Sequence, residues 1–177
     1  MPLSAFQPVW RVAHDGAAYC LRPLRESDRA MEKRFIESLS AKTRYQRLMF
    51  TQREATDSFV DSMLKLDYSS TMALAAVEKS IAGESIVGVA RYAAGIKAHE
   101  VEFAIVVADP WQKRGVGVQL LRSLFNYARV HKFQWARGVT FADNVAMVAL
   151  AKRLGMNVLV DPDDSAVRNI SFNLQSL

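Results

Sequence analysis

With 177 residues, half of them hydrophobic, the chain is long enough for one domain with a substantial core and short for two. Its one cysteine, Cys20, excludes an internal disulfide and fits a reducing, cytoplasmic setting, while no apolar stretch reaches membrane length and the N-terminus lacks the basic run of a signal peptide. The net charge of +5 favours anionic ligands, yet no Lys/Arg block, zinc spacing or basic-aromatic interleaving marks a nucleic-acid binder.

An arm runs to about residue 14, and its Phe6, Val9 and Trp10 make it a candidate for packing on a second subunit. His14-Asp-Gly reads as a turn before a strand at about 17–23, which Pro23 ends. Cys20 within that strand reads as a small buried hydrophobe. Ser27 or Asp28 is placed to cap a helix to about Leu39, whose Met31, Phe35, Ile36 and Leu39 recur at helical spacing. Residues 40–50 read as a short helix or turn. Residues 54–65 read as a helix that buries Phe59, Val60, Met63 and Leu64 and exposes Glu54, Asp57 and Asp61. Those carboxylates fit either an attractor for a cationic amine or a solvated acidic face.

Strands at 71–78 and 84–94 meet around Ile81-Ala-Gly83, a hairpin signal, and a third covers 99–108. Val116, Leu120, Leu124 and Ala128 keep helical period in the next segment, and 134–141 returns to strand. A helix opens at Asn144, and strands near 156–160 and 166–174 flank Asp161-Pro-Asp-Asp. With no repeat or linker, residues 1–177 read as a single domain of α+β or α/β class.

The stretch from Val101 to Gly117 concentrates the chemistry. A β-branched strand holding Glu102 ends at Asp109-Pro110, and Trp111-Gln-Lys-Arg-Gly-Val-Gly117 opens a helix. Gly115 and Gly117 let backbone approach a ligand, and the unpaired amides of a helix N-terminus attract phosphate oxygens, so Gln112 to Val118 reads as a pyrophosphate cradle. A Walker A loop is excluded because Val118-Gln119 follows Gly117 where Lys-Ser/Thr is required. A dinucleotide fingerprint fails as well: position 120 is Leu, and no acidic residue lies between Asp109 and Asp143 to hold a ribose. That acid-free interval instead carries Lys113, Arg114, Arg122, Arg129, Lys132 and Arg137, which suits an anionic ligand.

Gln112-Lys-Arg-Gly-Val-Gly117 resembles the Gln/Arg-x-x-Gly-x-Gly/Ala signature of the GCN5-related N-acetyltransferase (GNAT) family. Asp143-Asn144 leading to Leu154-Gly-Met156 is similar to that family's Asn-initiated helix closed by Leu-Gly-Phe, and Arg22-Pro23 to Asp28 is similar to its first strand and turn. These elements keep the family's order over roughly residues 17–175. Within the family, Glu102-Phe-Ala before Trp111-Gln112, and Leu39-Ser-Ala-Lys-Thr-Arg-Tyr45-Gln-Arg47-Leu-Met-Phe50, resemble bacterial protein-lysine acetyltransferases, with two extra residues before Phe50.

The resemblance implies a sheet of six or seven mostly antiparallel strands, splayed between strands four and five, and acetyl transfer from acetyl-CoA to a primary amine in a ternary complex. It assigns backbone contacts with the pantetheine arm to Val106 and Val107, and the pyrophosphate to Gln112, Lys113, Arg114, Gly115, Val116, Gly117 and Val118. Asn144 matches the family's cofactor-side asparagine, although helix capping explains it equally well. A lysine amine titrates near 10.4, so presenting it neutral at pH 7 costs roughly 4.6 kcal/mol and calls for a base. Glu102, in an apolar strand where burial would raise its pKa, is the candidate. The family's tyrosine acid is replaced by Ala151, and because a thiol pKa of about 8.5 makes thiolate release cost only about 2 kcal/mol, no side-chain acid is expected. The acceptor reads first as a protein lysine; a small amine such as a polyamine, amino sugar or xenobiotic, or a weakly catalytic acyl-CoA-binding regulator, are the alternatives.

Overall fold

In the computed structural model, which describes residues 6–48 and 55–177, the arm is itself a strand. Val9–Val12 forms β1 and pairs antiparallel with β2 (Ala18–Pro23), and Gly16, at φ +90°, supplies the left-handed residue of the turn between them. The first five residues of the arm lie outside the described residues, as do the expected ends of the second and third helices at Phe50 and Glu54.

Asp28 does not cap the first helix. Its carboxylate accepts the Arg25 amide at 2.9 Å and both Arg22 guanidinium nitrogens at 2.7 and 2.8 Å, so it ties β2 to the turn that follows. Helix α1 (Arg29–Ser38) then buries Phe35 and Ile36. Helix α2 (Ala41–Leu48) and helix α3 (Asp57–Leu64) follow, the latter capped by the Thr56 hydroxyl and burying Val60 and Leu64. In α3, Asp57 pairs with Lys33 at 2.8 Å and Arg29 at 3.5 Å, and Asp61 pairs with Arg29. The acidic face is therefore spent on α1, not offered to a cationic amine.

The remaining elements are β3 (Thr71–Ser80), β4 (Gly83–Ala94), β5 (Glu100–Val107), α4 (Val116–Val130), β6 (Trp135–Phe141), α5 (Val145–Arg153), β7 (Asn157–Val160) and β8 (Val167–Asn173). Eight strands make one sheet in the order β1-β2-β3-β4-β5-β6-β8-β7, one more than the expected six or seven because the arm contributes β1. Every pairing is antiparallel except β5 with β6.

The sheet is covered unequally. Helix α4 lies along one face with Leu120, Leu121, Leu124 and Phe125 fully buried, and α5 joins it over β7. On the other face α1 and α3 cover the β2–β4 region, where Ala73, Ala75 and Val77 pack against Phe35, Ile36 and Val60. Buried on both faces, β3 reads as the continuous apolar run Met72 to Val77. Arg91 on β4 bonds Glu32 of α1 at 2.8 Å and the Met63 carbonyl at 2.9 Å, fixing α1 and α3 to the sheet; burial lowers the Arg91 pKa against the Glu32 charge that supports it. Among the described residues, α2 at the edge of β6 is the helix with the main contacts to that face of β6, β8 and β7. Val139 and Leu159 stand 55% and 66% exposed there, and Trp10 and Val12 are exposed on β1.

Candidate active site

Strands β5 and β6 pair only from Glu100–Trp135 to Glu102–Arg137 and then diverge, opening a slot through the sheet. This is the splay expected between strands four and five when β1 is left uncounted. A cleft of about 670 Å³ follows the slot from the loop after β5 to Phe103 and Gly138.

The donor half is built locally. After β5, Asp109–Trp111 makes a single 3-10 turn, and the loop reaches α4 through two left-handed residues, Lys113 at φ +60° and Gly115 at φ +89°. A side chain on Gly115 would face both the left-handed strain and a collision, since an added Cβ lies 2.7 Å from His14 Nε2. Gly117 is confined too, with Leu150 Cδ2 at 3.2 Å from where a Cβ would sit. The β1–β2 turn braces this loop from behind: the His14 amide donates to the Arg114 carbonyl at 3.1 Å, and Arg114 pairs with Asp15 at 2.8 Å and stacks over Trp111. Trp111 in turn meets Tyr19 edge-on.

Of the loop residues expected to hold the donor, Gln112, Lys113, Gly115, Gly117 and Val118 line the cleft. The Arg114 side chain is turned to Asp15 and Trp111, and the Val116 side chain is fully buried in the core, so neither side chain reaches the cleft. The α4 N-terminus leaves its first amides without helical partners facing this end of the cleft.

Along the slot, alternation decides which backbone groups are free. The Ala108 amide bonds the Val87 carbonyl on β4, so Ala104 and Val106 also direct their backbone at β4, and Phe103, Ile105 and Val107 direct theirs at the slot. Backbone directed at the slot is thus that of Ile105 and not of Val106, the residue expected to meet a pantetheine arm, while Val106 keeps its side chain in the cleft wall. The Val107 carbonyl accepts from Gln112 Nε2 at 3.1 Å.

Asn144 caps α5 through Oδ1, which accepts the Met147 amide at 3.2 Å, and its Nδ2 donates to the buried Thr140 hydroxyl at 3.0 Å. Both polar ends are engaged, although the residue lines the cleft. Ala151 is wholly buried.

The acceptor half is assembled from distant segments. Helix α2 is tied to the end of β5 by Asp109, which accepts the Ser40 amide at 3.0 Å, the Ser40 hydroxyl at 2.8 Å and the Thr43 hydroxyl at 2.7 Å. Burial works to raise the Asp109 pKa, but the Ser40 amide and the Thr43 and Ser40 hydroxyls outweigh it and hold the carboxyl below its ordinary range. Gln112 Nε2 reaches the Thr43 hydroxyl at 3.4 Å, and Tyr45 stacks on Phe141 with ring centroids 5.1 Å apart. Lys42, Thr43 and Gln46 thereby enter the cleft wall. Reasoning from the sequence passed over this clamp; Leu39-Ser-x-x-Thr was its only local trace.

Glu102 points to the α1–α2 face, about 6.6 Å along the strand from the cleft-lining Ala104. It is exposed, contrary to the apolar, buried setting expected of it, because no helix among the described residues covers it. Among the described residues it makes no hydrogen bond or ion pair, and the neighbouring Arg137 is engaged by Glu100 at 2.9 Å.

An open-edged strand, a glycine cradle and a helix N-terminus arranged along one slot define a transferase that takes a long, phosphate-bearing donor. The chain belongs to the GNAT acetyltransferase family: the family model described as "Acetyltransferase (GNAT) domain" matches residues 19–157. It is 37% identical over 151 residues to an acetyltransferase of Pseudomonas aeruginosa, covering 85% of this chain and 81% of the relative. To the acetyltransferase Pat of Mycolicibacterium smegmatis it is 29% identical over 158 residues, 86% of this chain, and there it spans about half of the relative's length, 46%. The solved GNAT domain of S. lividans PAT superposes with a TM-score of 0.84 at 23% identity, covering 94% and 96% of the two chains. GNAT homologues bind acetyl-CoA or CoA, and the protein is an acetyl-CoA-dependent acetyltransferase. The cradle and the slot-facing backbone of Ile105 and Val107 fit that donor: glycine amides and the α4 terminus would hold its pyrophosphate, and the β5 edge its amide-bearing arm.

No helix among the described residues is long and apolar enough to cross a membrane.

Proposed function

We propose that the chain acetylates lysine side chains of proteins, with Glu102 as general base. The observation that carries this reading is the acceptor side of the slot, which, among the described residues, opens onto a face of β6, β8 and β7 with Val139 and Leu159 exposed. A polypeptide can lie on that face, across Val139 and Leu159, while one lysine reaches the slot between α2 and Glu102. Its arrival would exclude water from Glu102, whose carboxylate is placed to accept a proton. Glu102 takes one proton from the lysine ammonium, the neutral amine attacks the thioester carbonyl, the C–S bond breaks, and the second proton of the nitrogen is lost to solvent as the thiolate leaves. No tyrosine stands among the described residues of the cleft wall, and the reading leaves protonation of the thiolate to solvent. Likeness to Pat and to the PAT domain supports a protein acceptor. The pairing of Asp57 and Asp61 with α1 weighs against a small-amine reading built on them.

The test is thiol release from acetyl-CoA in the presence of lysine-bearing proteins and peptides on one side and polyamines and amino sugars on the other, with mass spectrometry of the acceptor. Turnover with polypeptides and their acetylation at lysine is expected. Turnover confined to small amines overturns the acceptor class, and donor binding without release from any amine favours the regulatory reading, to which the buried Ala151 gives its support.

A further inference from the structure

We propose that Phe103 limits the length of acyl chain that the donor can carry. A donor held by the loop after β5 runs back along the slot, so its acyl group is the part nearest the closed end, where β5 and β6 resume pairing at Glu102 and Arg137. The first residues past that point are Phe103 and Gly138, and both line the cleft. The Phe103 ring lies directly on Gly138: an added Cβ would stand 2.9 Å from Cε1 and 3.0 Å from Cζ. The ring thus occupies the space that a second side chain would take, and glycine is required beneath it.

This floor cannot yield easily. Phe103 is 7% exposed and meets Phe125 edge-on at 5.1 Å, and Phe125 is stacked on Phe172 at 5.5 Å, so retreat of the ring would displace packed aromatics of α4 and β8. Ile170, 2% exposed, lines the cleft beside it. The side chains of this floor are hydrocarbon. Acetyl fits, each further methylene presses on a fixed ring, and an acyl group ending in a carboxylate would lose its hydration without gaining a partner.

The experiment needs no acceptor and is therefore independent of the lysine reading. Dissociation constants for acetyl-, propionyl-, butyryl- and succinyl-CoA are measured by calorimetry for the wild-type protein, Phe103→Leu and Phe103→Ala, with melting curves to establish that each variant is folded. The wild-type protein is expected to bind butyryl-CoA and succinyl-CoA at least about tenfold more weakly than acetyl-CoA. In the variants, the butyryl-to-acetyl ratio of dissociation constants should fall about tenfold, while succinyl-CoA stays weak. Equal wild-type affinity for acetyl- and butyryl-CoA overturns the proposal on its own, even if Phe103→Ala fails to fold. So does an unchanged ratio in a folded Phe103→Leu variant.

Discussion

The two sides of the slot are made in opposite ways. On the donor side one continuous segment, from β5 through the Gly115 loop into α4, supplies strand edge, cradle and helix terminus, and β1–β2 braces it from behind. On the acceptor side α2 meets the paired strands β6, β8 and β7 from a distant part of the chain; Asp109 ties α2 to the end of β5, one aromatic stack ties it to β6, and Glu102 is left in solvent. A cofactor common to a whole family can be held by backbone and glycine, which tolerate change elsewhere. A variable acceptor is met by an open surface whose side chains are free to differ.

The division can be broken most severely at Glu102. Glu102→Gln is expected to lower kcat about 10²- to 10⁴-fold at neutral pH and leave the acetyl-CoA dissociation constant unchanged. Wild-type rates across the pH range would assign the base elsewhere.

Gly115→Ala tests the opposite side. Left-handed strain costs about 1–2 kcal/mol and the contact with His14 adds to it, so melting temperature should drop and acetyl-CoA affinity weaken by about tenfold or more. An unchanged dissociation constant would remove the loop from the donor site.

Asp109 joins the two halves, and its effect is pH-dependent with a definite sign. Its folded pKa lies below the unfolded value of about 3.9, so the stabilisation is complete above that value and is lost as pH falls through the folded pKa. The difference in melting temperature between wild type and Asp109→Asn should hold constant from about pH 7 to 5 and shrink below about pH 4. A difference that grows in acid would contradict the assignment.

Tyr45→Ala should have the smallest effect. With the stack on Phe141 removed, KM for a protein acceptor is expected to rise a few-fold, while the acetyl-CoA dissociation constant stays as it was. A loss of donor affinity instead would place α2 on the donor side.

The strands and helices from residue 17 onward were legible because their periodicities are strong, and the donor loop because Gln112 to Gly117 is contiguous and limited to glycine at two places for local steric reasons. The arm was less so: a four-residue strand carries too little pattern to stand out, and β1 exists because β2 offers it an edge. Alternation along β5 could be counted in sequence, but which residues address the slot depended on the phase of pairing with β4, and so Ile105 displaced Val106.

The sequence by itself determined the class of fold, the family and the glycine loop that opens α4, since each is written in local spacing and in residue types with narrow conformational roles. Only the tertiary structure decided that Glu102 lies in solvent, that Arg114 and Asn144 spend their polar groups on the fold, and that Phe103 closes the slot over Gly138. These depend on which surfaces helices cover and which partners lie within reach, and such contacts join residues far apart in the chain.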